Sequence, residues 1–267
     1  MMQPRIFSVV TNLAQYNLCL GENPYLKNCV RRFAQNTPGK NLPLPTHYNR
    51  FIEEEILPQT QDGWVIFCHQ DFQFLQDPAP TLQNLNPQII YGPNGMQPIT
   101  YQLGGQTFVR SKAYCQLISG PFVVGYYSAT TQPVDTLDCC CLCVHSSLLK
   151  KYQLRFDEQF DFHCYVEDFC LTARQKGLPS YAVQLTCKHL SNGHPDRLFF
   201  KRYKALRKKH PQKLFVTSTV QILFNRWFYF PSYYTLPLFW LFAYCIVQPL
   251  KTLRAKLHGN LRIYRTK

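Results

Sequence analysis

The last 71 of the 267 residues contain no acidic side chain. All 15 Asp and Glu residues lie within residues 1–196, together with 14 of the 29 Lys and Arg residues, so this part carries a formal net charge of −1. The other 15 basic residues follow within residues 197–267. The sequence therefore predicts a nearly neutral body, residues 1–196, followed by a strongly cationic basic tail, residues 197–267.

The chain also lacks the sequence features of a secreted or zinc-binding protein. The apolar run after Arg5 ends at Val10, which is too short for a secretory signal. Four of the 12 cysteines crowd into residues 139–143, where a strand would point them to alternating faces. No second C-x-x-C pair accompanies Cys140 and Cys143 at zinc-ribbon spacing. We therefore expect small buried thiols in a reducing compartment.

The order of apolar runs indicates the fold class. Because 46% of the residues are hydrophobic and 15% aromatic, a disordered chain is excluded. Short apolar runs predict strands at 6–11, 64–68, from 89 onward, 137–144 and 182–187, with hairpins or an extended loop within 96–133. Helices are predicted at 51–57 and at 167–176 before Gly177, with a loop at 36–49. This alternation predicts an α/β domain with a mixed, mainly parallel sheet and flanking helices.

The basic tail is predicted to be helical and to associate with a membrane. A basic helix is expected within 194–215, ending at Pro211. Residues 227–250 carry no charge, and their length suits a membrane span. Three prolines and aromatic residues spread along the stretch leave two alternatives open, a pair of helices on the membrane surface or a buried core helix. We expect the tail to hold a cytoplasmic protein at the membrane.

Acidic and histidine residues recur where the predicted strands end. His69 and Asp71 follow the strand at 64–68, Glu167 and Asp168 begin a helix, and His189 follows the last strand. Open α/β sheets bind ligands at this edge, where a carboxylate and an imidazole can share a divalent cation. Taken singly, such residues usually serve turns, helix caps or the helix dipole. Their succession is what indicates a site.

Several of these residues, together with short sequences between them, follow the pattern of a known family. In order, they are the sequence VDTLD at 134–138, FDE at 156–158, EDFCL at 167–171, Arg174, Gly177 and His189. From residue 6 to about residue 194, the chain resembles family 2-type glycosyltransferases of the GT-A fold. The subgroup it resembles carries its donor-site carboxylate in a His-x-Asp sequence, here His69-Gln70-Asp71.

This resemblance implies a function and a set of roles. It implies a nucleotide-sugar donor, a divalent cation (Mn or Mg) on the donor diphosphate, a saccharide or lipid-linked saccharide acceptor, and inversion at the anomeric carbon. Asp71 and His189 would bind the metal, and Asp168 would be the catalytic base with Glu167 beside it. The donor-binding residues would be Thr11, Asn12, Asn49, His69, Asp71 and Asp138.

The chain departs from the family pattern at three places. The usual D-x-D is reduced to His69-Gln70-Asp71, no acid stands in residues 33–36 where the second strand should end, and Cys139 replaces a common glycine. An inactive scaffold of the same fold is therefore an alternative. The basic tail also suggests nucleic-acid binding, but the uncharged stretch beside it favours a membrane, so no nucleic acid is expected.

Overall fold

A computed structural model describes residues 2–36, 39, 41–114, 117–119, 122–124, 128, 130–191, 196–211, 214–223 and 225–229. Its strands are β1 Arg5–Val10, β2 Val30–Gln35, β3 Trp64–Cys68, β4 Phe72–Phe74, β5 Ile90–Gly92, β6 Gly95–Leu103, β7 Gln106–Tyr114, β8 Leu117–Ser119, β9 Phe122–Val124, β10 Gln132–Val134, β11 Thr136–Leu137, β12 Cys141–His145, β13 Ser180–Ala182, β14 Cys187–His189, β15 Val220–Leu223 and β16 Arg226–Tyr229. Its α-helices are α1 Leu13–Tyr16, α2 Leu44–Phe51, α3 Pro78–Gln83, α4 Ser146–Lys151, α5 Tyr165–Gln175 and α6 Arg197–Lys209. Two of them continue as π-helical turns, α1 through Asn17–Gly21 and α2 through Ile52–Ile56, and Pro24–Leu26 forms a 3₁₀ turn.

A seven-stranded sheet forms the centre of the fold, in the order β10-β13-β5-β12-β3-β1-β2. Strands β2, β1, β3, β5 and β13 run in one direction, whereas β12 and β10 are antiparallel to their neighbours. The predicted α/β class with a mixed, mainly parallel sheet is therefore confirmed. Strand β3 is buried at every position, as expected for a strand covered on both faces. The carboxyl ends of the five parallel strands define one rim of the sheet, here called the carboxyl edge.

Several predicted elements have different bounds in the structure. The expected loop at 36–49 already contains the start of α2, which begins at Leu44 with Pro45 in its first turn. The single strand expected at 137–144 is two strands, β11 and β12, because the chain turns at Asp138–Cys140. The strand expected at 182–187 is likewise divided into β13 and β14, which belong to different sheets. The long hairpin of β6 and β7 confirms the hairpin expected within 96–133.

The first part of the basic tail packs on the body. Helix α6 confirms the predicted basic helix, and it buries Phe199, Tyr203 and Leu206 in the main hydrophobic core. Trp227 begins the uncharged stretch but lies in strand β16, so the helix expected from 227 is wrong for residues 227–229. Residues 230–250 lie outside the described residues. Within the described part, no helix has both the length and the apolar character needed to cross a bilayer.

The cysteines behave as the sequence predicts, as far as they are described. All ten described cysteines are free thiols, and nine of them are buried. Burial raises the pKa of the Cys68, Cys140 and Cys141 thiols well above the ordinary value. Protonated buried thiols are poor nucleophiles and poor metal ligands, so these cysteines serve packing.

Candidate active site

The turn after β3 brings the first site residues to the carboxyl edge. The His69 backbone N–H donates to the Cys140 carbonyl at 3.0 Å, and the Phe72 N–H closes the turn on the His69 carbonyl at 3.1 Å. Between them, the Gln70 side chain accepts hydrogen bonds from the backbone N–H groups of Thr11 and Asn12 at 2.8 and 2.9 Å. The Gln70 amide therefore ties the end of β3 to the end of β1.

Three side chains at this edge form a cluster with the donor atoms of a metal site. Ligand atoms of His69, Asp71 and His189 all lie within 4.8 Å of one another. Strand β14 carries His189 to this position by pairing with β4, which puts His189 opposite Phe72. Within the described residues, this is the one group of three or more such side chains close enough to share a cation. We call it the His–Asp–His cluster.

Hydrogen bonds hold Asp71 and His189 in place, and the surroundings keep Asp71 ionised and His69 neutral. His189 Nε2 lies 3.2 Å from Asp71 Oδ1, and the Ser191 backbone N–H donates to Asp71 Oδ2 at 3.1 Å. Burial alone would raise the pKa of Asp71, but these hydrogen bonds and the nearby His189 outweigh it and hold this pKa below its ordinary value. Burial and His189 lower the pKa of His69 to about 4, so His69 is neutral at pH 7. A carboxylate and a neutral imidazole are the forms that bind metal.

Tyr165 at the start of α5 fixes the orientation of His69. The Tyr165 hydroxyl donates to the Cys139 carbonyl at 3.0 Å and lies 2.9 Å from His69 Nε2. Because the hydroxyl has one proton and gives it to Cys139, it accepts the other hydrogen bond from His69 Nε2–H. Neutral His69 then carries its lone pair on Nδ1, which is free to ligate a cation.

Replacing Tyr165 with Phe should lower the affinity of the His–Asp–His cluster for Mn²⁺ by about 10- to 100-fold, the usual effect of losing a group that orients a metal-binding histidine. The fold should persist, since the ring still packs against Tyr48 and Phe156. Titration calorimetry with Mn²⁺ measures the change. Tyr181→Phe, on strand β13, which β5 and β12 separate from β3, is the matched control and should bind as the wild type does. Equal affinities for the wild type and the Tyr165 variant would contradict the assigned orientation.

Two acids approach the same edge from the Asp138–Cys140 turn and from α5. Asp138 accepts a hydrogen bond from the Cys140 N–H at 2.9 Å, which holds its carboxylate at the start of β12. Because β12 is antiparallel, its start lies at the carboxyl edge. Glu167 is only 4% exposed, and within the described residues its Oε2 atom has no hydrogen-bond partner. Burial raises the pKa of Glu167 to about 8; a backbone hydrogen bond opposes this rise, and the charges of Asp138 and Asp168 add to it.

Asp168 has a different environment from its neighbour Glu167. Its side chain is 2% exposed, and both of its carboxylate oxygens have partners. Lys209 Nζ donates to Oδ2 at 2.9 Å, and His210 Nε2 lies 2.8 Å from Oδ1. Asp168 therefore anchors the end of α6 to α5, and its predicted role as the catalytic base has no support from this geometry.

The predicted donor-binding residues are only partly brought together. Thr11 and Asn12 lie at the end of β1, joined to the His–Asp–His cluster through Gln70. The Asn49 side chain is already engaged, because its amide exchanges two 2.9 Å hydrogen bonds with the Phe156 backbone and also donates to Glu158. Asn49 thus fixes the chain before α5, and its predicted contact with a donor has no support from this position.

Sequence reasoning missed two polar residues that organise the site. Gln70 is the middle residue of the His-x-Asp sequence, a position at which the pattern accepts any residue. Tyr165 is one of many aromatic residues in the chain, and its residue type alone does not indicate a polar role. The position of Tyr165, two residues before Glu167 on the first turn of a helix that begins at the carboxyl edge, is the one hint the sequence offers. Lys209 and His210 gave no such hint, because their partner lies 41 or 42 residues away.

Comparison with known proteins adds no assignment to this geometry. A scan against models of known protein families finds no match, and a search of curated protein sequences finds none either.

Proposed function

We propose that this protein is a metal-dependent glycosyltransferase of the GT-A type, which moves a sugar from a nucleoside diphosphate donor to an acceptor hydroxyl with inversion. The observation that carries the proposal is the His–Asp–His cluster at the carboxyl edge of a mainly parallel sheet, together with the buried acid Glu167 near Asp138. The family resemblance in the sequence supports the same reading. A generic α/β fold alone would not, because one fold hosts many functions.

The cluster fits a divalent cation by its donor set. Two imidazoles and one carboxylate are ligands that Mn²⁺ and related transition metals accept. His69 would be the third ligand, beside Asp71 and His189, in place of the second carboxylate of a D-x-D sequence. A cation held there would neutralise the charge that develops on the departing diphosphate.

Glu167 is the residue we assign to take the proton from the acceptor. An alcohol is a poor nucleophile until a base removes its proton, and a base with a pKa near the working pH does this best. As the Glu167 carboxylate accepts the proton, the acceptor oxygen forms a bond to the anomeric carbon from the side opposite the leaving group. The bond from that carbon to the diphosphate oxygen breaks, and its electron pair leaves with the diphosphate. This displacement inverts the configuration.

Asp138 and the end of β1 are the remaining groups at the site. The charge of Asp138 raises the pKa values of both His69 and Glu167, so its carboxylate lies near both residues. We propose that Asp138 and the polar end of β1, Thr11 and Asn12, face the donor sugar and its nucleoside. The buried Asn36 side chain, which follows β2, is occupied by two 3.0 Å hydrogen bonds with Leu42, so it does not replace the missing acid of the family pattern.

A panel of nucleoside diphosphates and nucleotide-sugars tests the proposal. A true donor should raise the melting temperature in the presence of Mn²⁺ and not with chelator, because it binds only the folded state. The same donor should then release its nucleoside diphosphate when acceptors are supplied. Mn²⁺-dependent binding without any release or transfer would favour the inactive scaffold. Absence of binding across the panel would contradict both readings.

A further inference from the structure

The cations of helix α6 fall into two groups with different partners. Arg202 donates two hydrogen bonds to Asp161, at 2.9 and 2.8 Å, and Lys209 bridges Asp157 and Asp168 at 2.7 and 2.9 Å. These two residues face the body, and the acids of the body balance their charges. They explain how a strongly basic helix can pack on a nearly neutral body.

The other cations of the helix are exposed and lack acidic partners among the described residues, and one of them, Arg207, lies over the Trp227 ring at 4.6 Å. They recur every three or four residues, the spacing of one helix face, and all are exposed: Arg197, Lys201, Lys204, Arg207 and Lys208. None of these five forms an ion pair with an acid in the part of the chain that the structure describes. Phe200 lies in the same row and is 40% exposed. We call these six residues the basic face.

The basic face begins next to the candidate active site. His163 lies 3.5 Å from Asp196, the N-cap of α6, and its ring contacts Phe199 at 5.5 Å between centroids. The preceding residue, Phe162, stacks on His69 at 6.2 Å and is 49% exposed. A surface bound to α6 would therefore lie close to the rim of the site.

We infer that the basic face docks on an anionic lipid bilayer. A row of cations around an exposed aromatic ring suits a headgroup layer, where lysine and arginine meet lipid phosphates and the ring enters the apolar boundary. The 24 uncharged residues that follow Arg226 in the sequence are consistent with this surface and not with a nucleic-acid groove. The inference stands whether or not the protein transfers sugar. If it does, the acceptor that fits this placement is one held in the membrane.

Flotation of the full-length protein with phosphatidylcholine vesicles, with and without phosphatidylserine, tests the inference. The wild type should bind the anionic vesicles, and Lys201→Glu with Lys204→Glu should weaken binding by about 30-fold or more. This estimate follows because each lysine near an anionic surface contributes about 1 kcal/mol and about 1.4 kcal/mol is tenfold. Added salt should weaken the wild-type binding in the same direction.

The control pair is Lys27→Glu with Lys151→Glu, two exposed lysines outside α6 that change the net charge by the same amount. This pair should bind as the wild type does. The inference is overturned if both double variants lose binding equally, because net charge alone would then explain the result. It is also overturned if the α6 variant binds like the wild type, or if the basic face binds single-stranded RNA more tightly than vesicles at equal salt. Circular dichroism confirms that each variant is folded.

Discussion

Glu167→Gln should lower the turnover of glycosyl transfer by about two to four powers of ten, the usual contribution of a positioned general base. The amide keeps the shape of the side chain but accepts no proton, so binding of the donor should change little. The measurement is nucleoside diphosphate release under saturating donor and acceptor, with donor affinity determined separately. Near-native turnover in the variant would contradict the assignment of Glu167.

Asp168→Asn is the matched control, because Asp168 is the neighbouring acid on the same helix turn. Its carboxylate is paired with Lys209 and His210, and breaking a buried pair of this kind costs about 3–5 kcal/mol. We therefore expect this variant to lose stability in urea unfolding while a folded sample keeps most of its turnover. The opposite outcome, with turnover lost in Asp168→Asn and kept in Glu167→Gln, would return the catalytic role to Asp168.

The pH dependence provides a second readout for Glu167. Because burial raises the pKa of Glu167 to about 8, the wild-type kcat/KM should rise with pH below 8 and level above it. Stability should show the reverse trend. Between pH 4.5, the ordinary pKa, and about pH 8, Glu167 is protonated in the folded state and ionised in the unfolded state. The free energy of unfolding therefore decreases as the pH rises through that range. Glu167→Gln should remove this decrease in stability, so the variant should be more stable than the wild type at pH 8 but not at pH 4.

Replacement of a cluster ligand should remove most of the stabilisation of the fold by Mn²⁺. For the wild type, free Mn²⁺ at about 100 times its Kd should stabilise the fold by about 2.7 kcal/mol. That stabilisation corresponds to roughly 5–10 °C in Tm for a domain of this size. Asp71→Asn, His189→Gln and His69→Gln should each remove most of the shift at the same Mn²⁺ concentration, because each leaves two of three ligands. Mg²⁺ should give a smaller shift than Mn²⁺, since imidazole nitrogens suit transition metals and Mg²⁺ prefers oxygen.

His145→Gln is the control for the metal experiment. His145 lies at the opposite end of β12 from the site, with its ring 2.8 Å from the Ser147 hydroxyl, so its loss should leave the Mn²⁺ shift intact. If wild-type Tm is the same with Mn²⁺ and with chelator, the metal assignment fails. A shift retained by all three ligand variants would place the cation elsewhere in the chain.

The sequence predicted the central strands well, because buried parallel strands are continuous apolar runs that need no partner to be recognised. The runs that became β1, β3 and β5 are of this kind. It failed where a turn divides one apolar run into two strands, as at Asp138–Cys140. There the Asp138 side chain holds the turn, and hydrophobicity gives no sign of it.

The sequence by itself indicated that His69 and Asp71 reach the carboxyl edge, because they follow the end of a buried strand. It did not place His189 there by strand order, since β14 lies in a separate sheet and its pairing with β4 brings His189 to the cluster. The separation of charge between body and tail was also complete in the sequence. What it left undetermined was the orientation of each side chain.

Only the tertiary structure distinguished the surroundings of Glu167 from those of Asp168. Successive residues on an α-helix point about 100° apart, so one of two adjacent acids can face the site while the other faces a neighbouring helix. Which one does so depends on where α6 packs, and α6 begins 29 residues after Asp168. Its last residue, Lys209, and the following His210 engage Asp168 and leave Glu167 buried near Asp138. The same packing turned Arg202 and Lys209 inward and left the basic face outward, because only the inward cations meet the acids of the body.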